Sequence, residues 1–219
     1  MEIDMKILGD IHGNLHRLSR VMRDTEDDVL CVGDVGIGFK GVGQHPSLSE
    51  RFHFIRGNHD WPYWCKKHPQ FTLDYGMWRD MFLLGGARSV DKEWRTENVN
   101  WWADEELSYG ELQKAIELYA EEKPNVVISH EAPFQIAAEL KAHVQALDPG
   151  LAAFGEPTPY STSMAMDQML EIHQPDLWVF GHWHATWSKQ VGKTRFICAN
   201  IFELLDVDEQ LALSHAEAE

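Results

Sequence analysis

Near its start the chain reads MKILGDIH over residues 5–12. A short apolar run leads into a glycine, and a carboxylate (Asp10) and an imidazole (His12) follow directly. The apolar run is typical of a buried β-strand, so the polar pair would lie just past its carboxyl end. Because ligand sites gather at that edge in sheets with parallel strands, the stretch predicts a strand that presents two possible metal ligands.

The same arrangement, an apolar run that ends at polar side chains, recurs four times along the chain. The runs are 29–32, 52–55, 126–128 and 177–180, and the polar segments after them are Gly33-Asp34, Gly57-Asn58-His59-Asp60, Ser129-His130 and Gly181-His182-Trp183-His184. Any one of these segments occurs by chance in many proteins, whereas the ordered set, each at a predicted strand end, is specific. Five strands are therefore expected to deliver possible ligands to one edge of the fold.

The remaining patterns predict an α/β or α+β fold. Helical spacing of apolar residues predicts helices at 15–23, 134–146 and 163–173, and Ser108 with Glu111 forms a capping-box signature for a helix that ends near Glu122. Further apolar runs predict strands at 81–84, 194–198 and 201–205. Strands alternate with helices and no internal repeat interrupts them, so residues 1–206 are predicted to form one domain. Residues 207–219 are predicted to be an acidic, solvated and frayed tail.

The composition limits the possible partners and compartment. A formal net charge of -16 argues against a surface that binds long nucleic acid. No apolar run is long enough to cross a bilayer, and the first residues lack the basic and apolar regions of a signal peptide. The three cysteines have no pairing or zinc-finger spacing and are interpreted as reduced thiols. A cytoplasmic protein without a membrane partner is expected.

The strand-end residues are the expected metal ligands, and they are Asp10, His12, Asp34, Asn58, His130, His182 and His184. Carboxylate, amide and imidazole donors suit manganese, iron, zinc or nickel better than calcium. The alternative interpretation, unrelated polar residues at loop starts, does not account for the agreement of all the segments in order and position.

In this order the motifs resemble those of the calcineurin-like metallophosphoesterase superfamily, over about residues 6–200. The resemblance implies a two-sheet β-sandwich flanked by helices, with a dinuclear metal site at the carboxyl ends of the strands. It also implies two divalent ions, with Mn2+ expected first and Fe, Zn or Ni as alternatives. The two implied ligand sets are Asp10, His12, Asp34 and His184 for one ion, and Asp34, Asn58, His130 and His182 for the other.

The resemblance further implies the parts that act on the substrate. Asp34 would bridge both ions together with a water or hydroxide that attacks the phosphorus atom. His59 resembles the histidine that stabilises or protonates the leaving group, and Asp60 would orient it by accepting a hydrogen bond from its ring.

One departure from the superfamily narrows the expected substrate. Ser/Thr protein phosphatases continue the second motif as Gly-Asp-x-x-Asp-Arg-Gly, but residues 33–38 here read GDVGIG and lack the phosphate-binding arginine. Either another basic group contacts the phosphate, with Arg56, Arg88 and Arg95 as the candidates, or the metals and His59 do so alone. The sequence predicts a metal-dependent hydrolase of small phosphomonoesters or phosphodiesters, nucleotides included. Three alternatives stay open: a nuclease of the same superfamily, a non-catalytic module that binds nucleotides through its metals, and a structural protein with an empty site.

Overall fold

The structure is a computed structural model that describes residues 5–147 and 161–217. Its strands form two sheets, and its helices cover the outer faces of both. The strands are β1 Met5–Leu8, β2 Asp28–Cys31, β3 Phe52–Phe54, β4 Tyr75–Trp78, β5 Met81–Leu84, β6 Val126–Ser129, β7 Leu177–Phe180, β8 Trp187–Val191, β9 Thr194–Cys198 and β10 Leu204–Asp206. The helices are α1 Leu15–Asp24, α2 Pro62–Cys65, α3 Tyr109–Glu122, α4 Phe134–Leu147, α5 Ser161–Ile172 and α6 Val207–Glu217.

Parallel pairing dominates the middle of both sheets. The first sheet has the order β10-β1-β2-β3, with β1, β2 and β3 parallel to one another. The second has the order β4-β5-β6-β7-β9-β8, with β5, β6, β7 and β9 parallel. Antiparallel strands close both ends of the second sheet and one end of the first. All the motif-bearing strands therefore end at a shared edge within their sheet.

The two sheets pack face to face around one apolar layer. Alternate side chains of β1 and β2, such as Ile7 and Leu30, meet Leu83, Ile128 and Val179 of the second sheet in a single buried cluster. The remaining side chains of the same strands point outwards, because successive residues of a strand face opposite sides. The predicted α/β (α+β) fold with a two-sheet sandwich flanked by helices is thus confirmed.

Helices bury the outer faces of the sheets, which explains why the strands are continuous apolar runs rather than alternating ones. Leu18 and Met22 of α1 pack against the outer face of β1 and β2. Residues of α3, α4 and α5 cover Phe82, Trp178 and Phe180 of the second sheet. The predicted capping box at the start of α3 is confirmed, since the Ser108 and Glu111 side chains and backbones bond reciprocally.

The sequence patterns missed or misplaced some elements. β4 contains a glycine, and β8 alternates only weakly, so neither gave a clear pattern. The predicted closing strand at 201–205 is shorter, at Leu204–Asp206, because Phe202 has a left-handed φ of 59° and donates its backbone N–H to the Asp10 carbonyl.

The prediction of a frayed tail after residue 206 was wrong for residues 207–217. This segment forms α6, whose Val207 is buried in the layer between the sheets. Ser214, also buried, donates a hydrogen bond to the Asp176 carbonyl at 2.7 Å. Asp208 is half-buried and Glu209 is exposed, so the helix docks through its apolar and hydroxyl side chains while these acids keep contact with solvent. Across residues 5–147 and 161–217, no helix combines the length and apolar character that crossing a bilayer requires.

Candidate metal centre

The predicted ligands converge where the carboxyl ends of the two sheets meet. Asp10 and Asp34 follow β1 and β2 in the first sheet, whereas His130 and His182 follow β6 and β7 in the second. Hydrogen bonds tie the two groups together: the backbone N–H of His182 donates to Asp10 Oδ2 at 3.1 Å, and His130 Nδ1 lies 2.9 Å from the carbonyl of Val32, which follows β2. The seam between the sheets therefore forms the floor of the site.

Four side chains place ligand atoms within 4.8 Å of one another: Asp10, His12, Asp34 and His184. The Nε2 atoms of His12 and His184 are 2.8 Å apart, and His184 Nε2 is 3.2 Å from Asp10 Oδ2. His12 Nδ1 lies 3.8 Å from Asp34 Oδ2. Two imidazoles and two carboxylates that point at one space form a donor set suited to a first-row divalent cation.

A second group of donors lies on the other side of Asp34. His130 Nε2 is 3.3 Å from Asp34 Oδ1 and 3.1 Å from Asn58 Oδ1. His130 Nδ1 is 2.9 Å from the Val32 carbonyl, which fixes the ring with Nε2 towards the site. His182 lies further out, with its ring centroid 5.1 Å from that of His130. The structure therefore brings Asp34, Asn58 and His130 into direct contact and leaves His182 at the margin of this group.

Asp34 faces both groups, one carboxylate oxygen to each. Oδ2 faces His12, and Oδ1 faces His130 while accepting the backbone N–H of His59 at 2.7 Å. The carboxylate is almost fully buried. The donor types of both groups suit divalent cations, and Asp34 is the residue that contributes an oxygen to each group.

The local electrostatics match a site for positive charge. Burial opposes the ionisation of Asp34, but the imidazoles of His130, His59 and His12 hold its pKa well below the usual value. Burial likewise opposes a charged His130, yet the adjacent Asp34 raises the pKa of that imidazole to about 10. A protonated His130 then neutralises part of the carboxylate charge, and a metal that binds His130 must displace this proton.

Several of these residues have unusual backbone conformations. Of the eight non-glycine residues with positive φ in the described part of the chain, four are predicted ligands: His12, Asp34, His182 and His184. Their φ angles lie between 42° and 66°, a region that L-residues other than Asn, Asp and His seldom occupy. Such conformations concentrate at functional sites, where the surrounding fold enforces them.

Glycine at two strand ends keeps the space that these side chains need. A Cβ atom on Gly57 would lie 2.1 Å from Asp34 Oδ1, and one on Gly181 would lie 2.3 Å from Asp10 Oδ1. Any larger residue would push the carboxylates out of the site, so the glycines of the motifs are required by close packing around the acids.

His59 lies beside the cluster and is half-buried. Its ring stacks on Phe39 at a centroid distance of 5.4 Å and meets His12 edge-on at 5.0 Å. Its Nε2 contacts an Nη2 group of Arg95. Burial, together with the charge of Arg95, lowers the pKa of His59 to about 4 despite the nearby Asp34. His59 is therefore neutral at pH 7 in the metal-free chain.

Asp60 does not orient His59 in the way that the sequence predicted. Its carboxylate accepts backbone N–H groups of Gly57, Val35, Gly36 and Ile37, at 2.7–3.2 Å. The ring of His59 instead contacts Arg95. Burial and the neighbouring Asp34 raise the pKa of Asp60 to about 7, although the backbone donors oppose this shift. Asp60 thus joins the two loops that carry Asp34 and Asn58, which is a structural task.

The three candidate phosphate-binding arginines have different surroundings. Arg56 is buried, pairs with Asp74 at 2.6 Å, and donates Nη1 to the Glu105 carbonyl, so its prediction as a substrate contact was wrong. Arg88 is half-buried, and its role stays a prediction. Arg95 contacts His59 and is held by Asp91 and the Asn100 carbonyl, so it is the candidate at the site.

Sequence reasoning missed three polar residues around the ligands. Ser89 and Glu105 are buried and hydrogen-bonded to each other, and Ser89 also contacts Asn58. Glu131 accepts the indole N–H of Trp183 at 2.9 Å and lies 3.6 Å from His182 Nε2. The position of Glu131 directly after His130, a predicted ligand, is a signal that could have identified it. Ser89 and Glu105 lie in a segment without any motif.

The fold and the cluster together define a sandwich with a candidate metal centre at the carboxyl ends of its strands. A sequence model of the calcineurin-like phosphoesterase family matches residues 5–186, which is most of the chain. The chain belongs to this family. A search of curated proteins found no match.

Proposed function

We propose that this chain hydrolyses phosphomonoesters or phosphodiesters of small molecules, nucleotides included, with two divalent cations at the centre described above. The observation that carries the proposal is the position of Asp34, whose two carboxylate oxygens face two separate groups of nitrogen and oxygen donors. A shared carboxylate offsets the repulsion between two adjacent cations. When bound, the ions would supply positive charge that polarises the phosphoryl group and activates water. The donor types suit Mn2+, Fe, Zn or Ni, and the family resemblance puts Mn2+ first.

The residues of the chain would bind and orient the ester. Arg95 places a permanent positive charge next to His59, and its guanidinium is anchored by Asp91 and the Asn100 carbonyl. A phosphate that takes up the guanidinium would free His59 Nε2, which Arg95 contacts in this structure. The negative charge of the ester would also raise the pKa of His59 from its low value, because an opposite charge favours the imidazolium. His59 could then give a proton to the leaving oxygen.

The charge of the chain favours small substrates over long nucleic acid. The formal net charge is -16, and two ions would offset only part of it. A polyanion gains its affinity from many cationic contacts, which a surface of this sign does not offer. A nuclease activity is the alternative that cleavage of single-stranded or duplex DNA with Mn2+ would support.

The test compares p-nitrophenyl phosphate and bis-p-nitrophenyl phosphate as substrates of metal-stripped protein, with Mn2+, Ni2+, Zn2+ or Mg2+ added back. Turnover that needs the added metal is expected for at least one ester, and Asp34→Asn should remove it. The preferred ester then separates a monoesterase from a diesterase. If the protein binds two ions per chain and nucleotides as well, yet hydrolyses neither these esters nor a panel of nucleotides, a non-catalytic binding module replaces this proposal.

A further inference from the structure

A chain of buried hydrogen bonds runs from Asn58 to a carboxylate outside the predicted ligand set. Asn58 Nδ2 donates to Ser89 Oγ at 3.2 Å, and Ser89 Oγ donates to Glu105 Oε2 at 2.5 Å. The Ser89 backbone N–H donates to the other oxygen of Glu105 at 3.0 Å. The three residues are at most 3% exposed. Each oxygen of Glu105 therefore accepts a hydrogen bond from Ser89.

This arrangement has a direction. An ionised carboxylate can only accept, so the single hydroxyl proton of Ser89 must point at Glu105. The Ser89 oxygen then has only lone pairs to offer to Asn58, and it can bind the amide NH2 group but not the amide oxygen. Asn58 Oδ1 is consequently turned the other way, where it lies 3.1 Å from His130 Nε2. The bond to Ser89 thus fixes the orientation of the amide whether or not His130 carries a proton.

The pair is itself held firmly. The Glu105 carbonyl accepts Nη1 of the buried Arg56, and the Gly86 N–H donates to the Arg56 carbonyl at 2.7 Å. Gly86 and Glu105 lie near the start and the end of the segment between β5 and α3. These bonds therefore join both ends of that segment to Arg56, two positions before Asn58. Buried partners with this many contacts keep a fixed geometry, as an outer support for a metal ligand must.

We propose that Ser89 and Glu105 are positioning residues that turn the Asn58 amide oxygen towards the cation held by Asp34 and His130. The inference rests on the proposed function in so far as that function supplies the cation. It assigns a role to the segment between β5 and α3, which carries no ligand of its own. An ion at this position would depend on Glu105 without touching it.

The experiment titrates Mn2+ into metal-free wild-type protein and into the Ser89→Ala and Glu105→Gln variants by calorimetry. Glu105→Gln keeps the size of the side chain and an acceptor for the Ser89 N–H, but its new NH2 group donates to Ser89 Oγ. The hydroxyl proton then turns to Asn58 and selects the wrong end of the amide. Ser214→Ala is the matched control, because Ser214 in α6 is also a buried serine, and its hydroxyl donates to the Asp176 carbonyl away from the site.

The expected result is a selective loss at one of two sites. Both variants should bind one Mn2+ with wild-type affinity and the second roughly 10- to 100-fold more weakly, the usual effect of removing an outer partner of a ligand. The electron paramagnetic resonance signal of two coupled Mn2+ ions should weaken at substoichiometric metal in both. Ser214→Ala should bind both ions as the wild type does, even if its melting temperature falls. A merely structural role of Ser89 and Glu105 would lower the melting temperature and leave the ratio of the two affinities unchanged.

The outcomes separate this inference from the proposed function. If Ser89→Ala and Glu105→Gln both bind two Mn2+ ions with the affinities of the wild type, the positioning role is overturned, whether or not the wild type hydrolyses esters. Selective loss of one ion in a protein that hydrolyses no ester would support the positioning role and refute the proposed function. A wild-type chain that binds no Mn2+, Zn2+ or Ni2+ would refute both.

Discussion

Replacing Arg56 with methionine tests whether this arginine holds the fold or binds the substrate. The guanidinium is 2% exposed and pairs with Asp74 at 2.6 Å, and it also donates to the Glu105 carbonyl. Removing one partner of a buried ion pair costs about 3–5 kcal/mol, because the other charge stays buried without its partner. Asp74 keeps a second cation, Lys66 at 2.8 Å, so the loss should fall at the lower end. We expect a decrease of about 3 kcal/mol in the free energy of unfolding.

Urea unfolding of the metal-free protein, followed by circular dichroism, measures this change without the contribution of bound ions. For a chain of this size, about 3 kcal/mol corresponds to a drop of roughly 6–12 °C in melting temperature. Arg79→Met is the control, because Arg79 pairs with Asp28 at the surface, with side-chain exposures of 43% and 29%. An exposed pair of this kind contributes at most about 1 kcal/mol.

The pH dependence of the unfolding free energy is a second test of the Arg56–Asp74 pair. Burial disfavours the Asp74 carboxylate, but Arg56 and Lys66 lower its pKa below the usual value. A lowered pKa in the folded state adds stability above roughly pH 4, the unfolded value, and this stability is lost as the pH falls through the folded pKa. The Arg56→Met variant should therefore lose less stability than the wild type on acidification below roughly pH 4. A loss under about 1 kcal/mol together with a tenfold rise in KM for the ester would refute the structural role and return Arg56 to the substrate site.

Three further changes test the site itself. Asp34→Asn should abolish metal-dependent hydrolysis and reduce the content of both ions measured by elemental analysis, because the carboxylate faces both donor groups; retention of both ions would contradict the shared position. His59→Ala should keep the metal content and lower kcat by roughly 10²- to 10⁴-fold, the usual contribution of a general acid; loss of metal equal to that in Asp34→Asn would show that His59 is a ligand instead. Gly57→Ala should weaken metal binding and stability together, since the added Cβ would lie 2.1 Å from Asp34 Oδ1 and 2.6 Å from His130 Cε1; calorimetry with unchanged Mn2+ affinity would show that the loop has room to shift.

The sequence allowed the prediction of features that depend on local patterns. β1, β5, β7 and the capping box of α3 were predicted because continuous apolar runs and helix-cap residues are read without knowledge of the partner elements. The convergence of Asp10, Asp34 and His130 was predicted for a similar reason, since each follows a strand directly. The arrangement of the strands in two packed sheets was predicted from the family resemblance and not from periodicity.

The features that were not predicted depend on contacts between distant parts of the chain. Arg56 looked like a free cation next to a motif, and only the fold shows Asp74 and the Glu105 carbonyl around it. Asp60 directly follows His59 in the chain, but the backbone directs its carboxylate to the N–H groups of residues 35–37. α6 was not predicted because its apolar side is short. Its docking depends on Val207 and on contacts with β1 and β7.

The left-handed backbone at four predicted ligands lowers the stability of the fold at the same positions that supply the donor atoms of the centre. A non-glycine residue in this conformation costs of order 1 kcal/mol relative to a relaxed one, and glycine removes most of that strain. His12→Gly and His184→Gly, at partly exposed positions, would therefore relax the metal-free protein while deleting a donor each. An optimisation that selects only for thermal stability would tend to erase these donors, so stabilised versions of this protein have to be screened in the presence of metal.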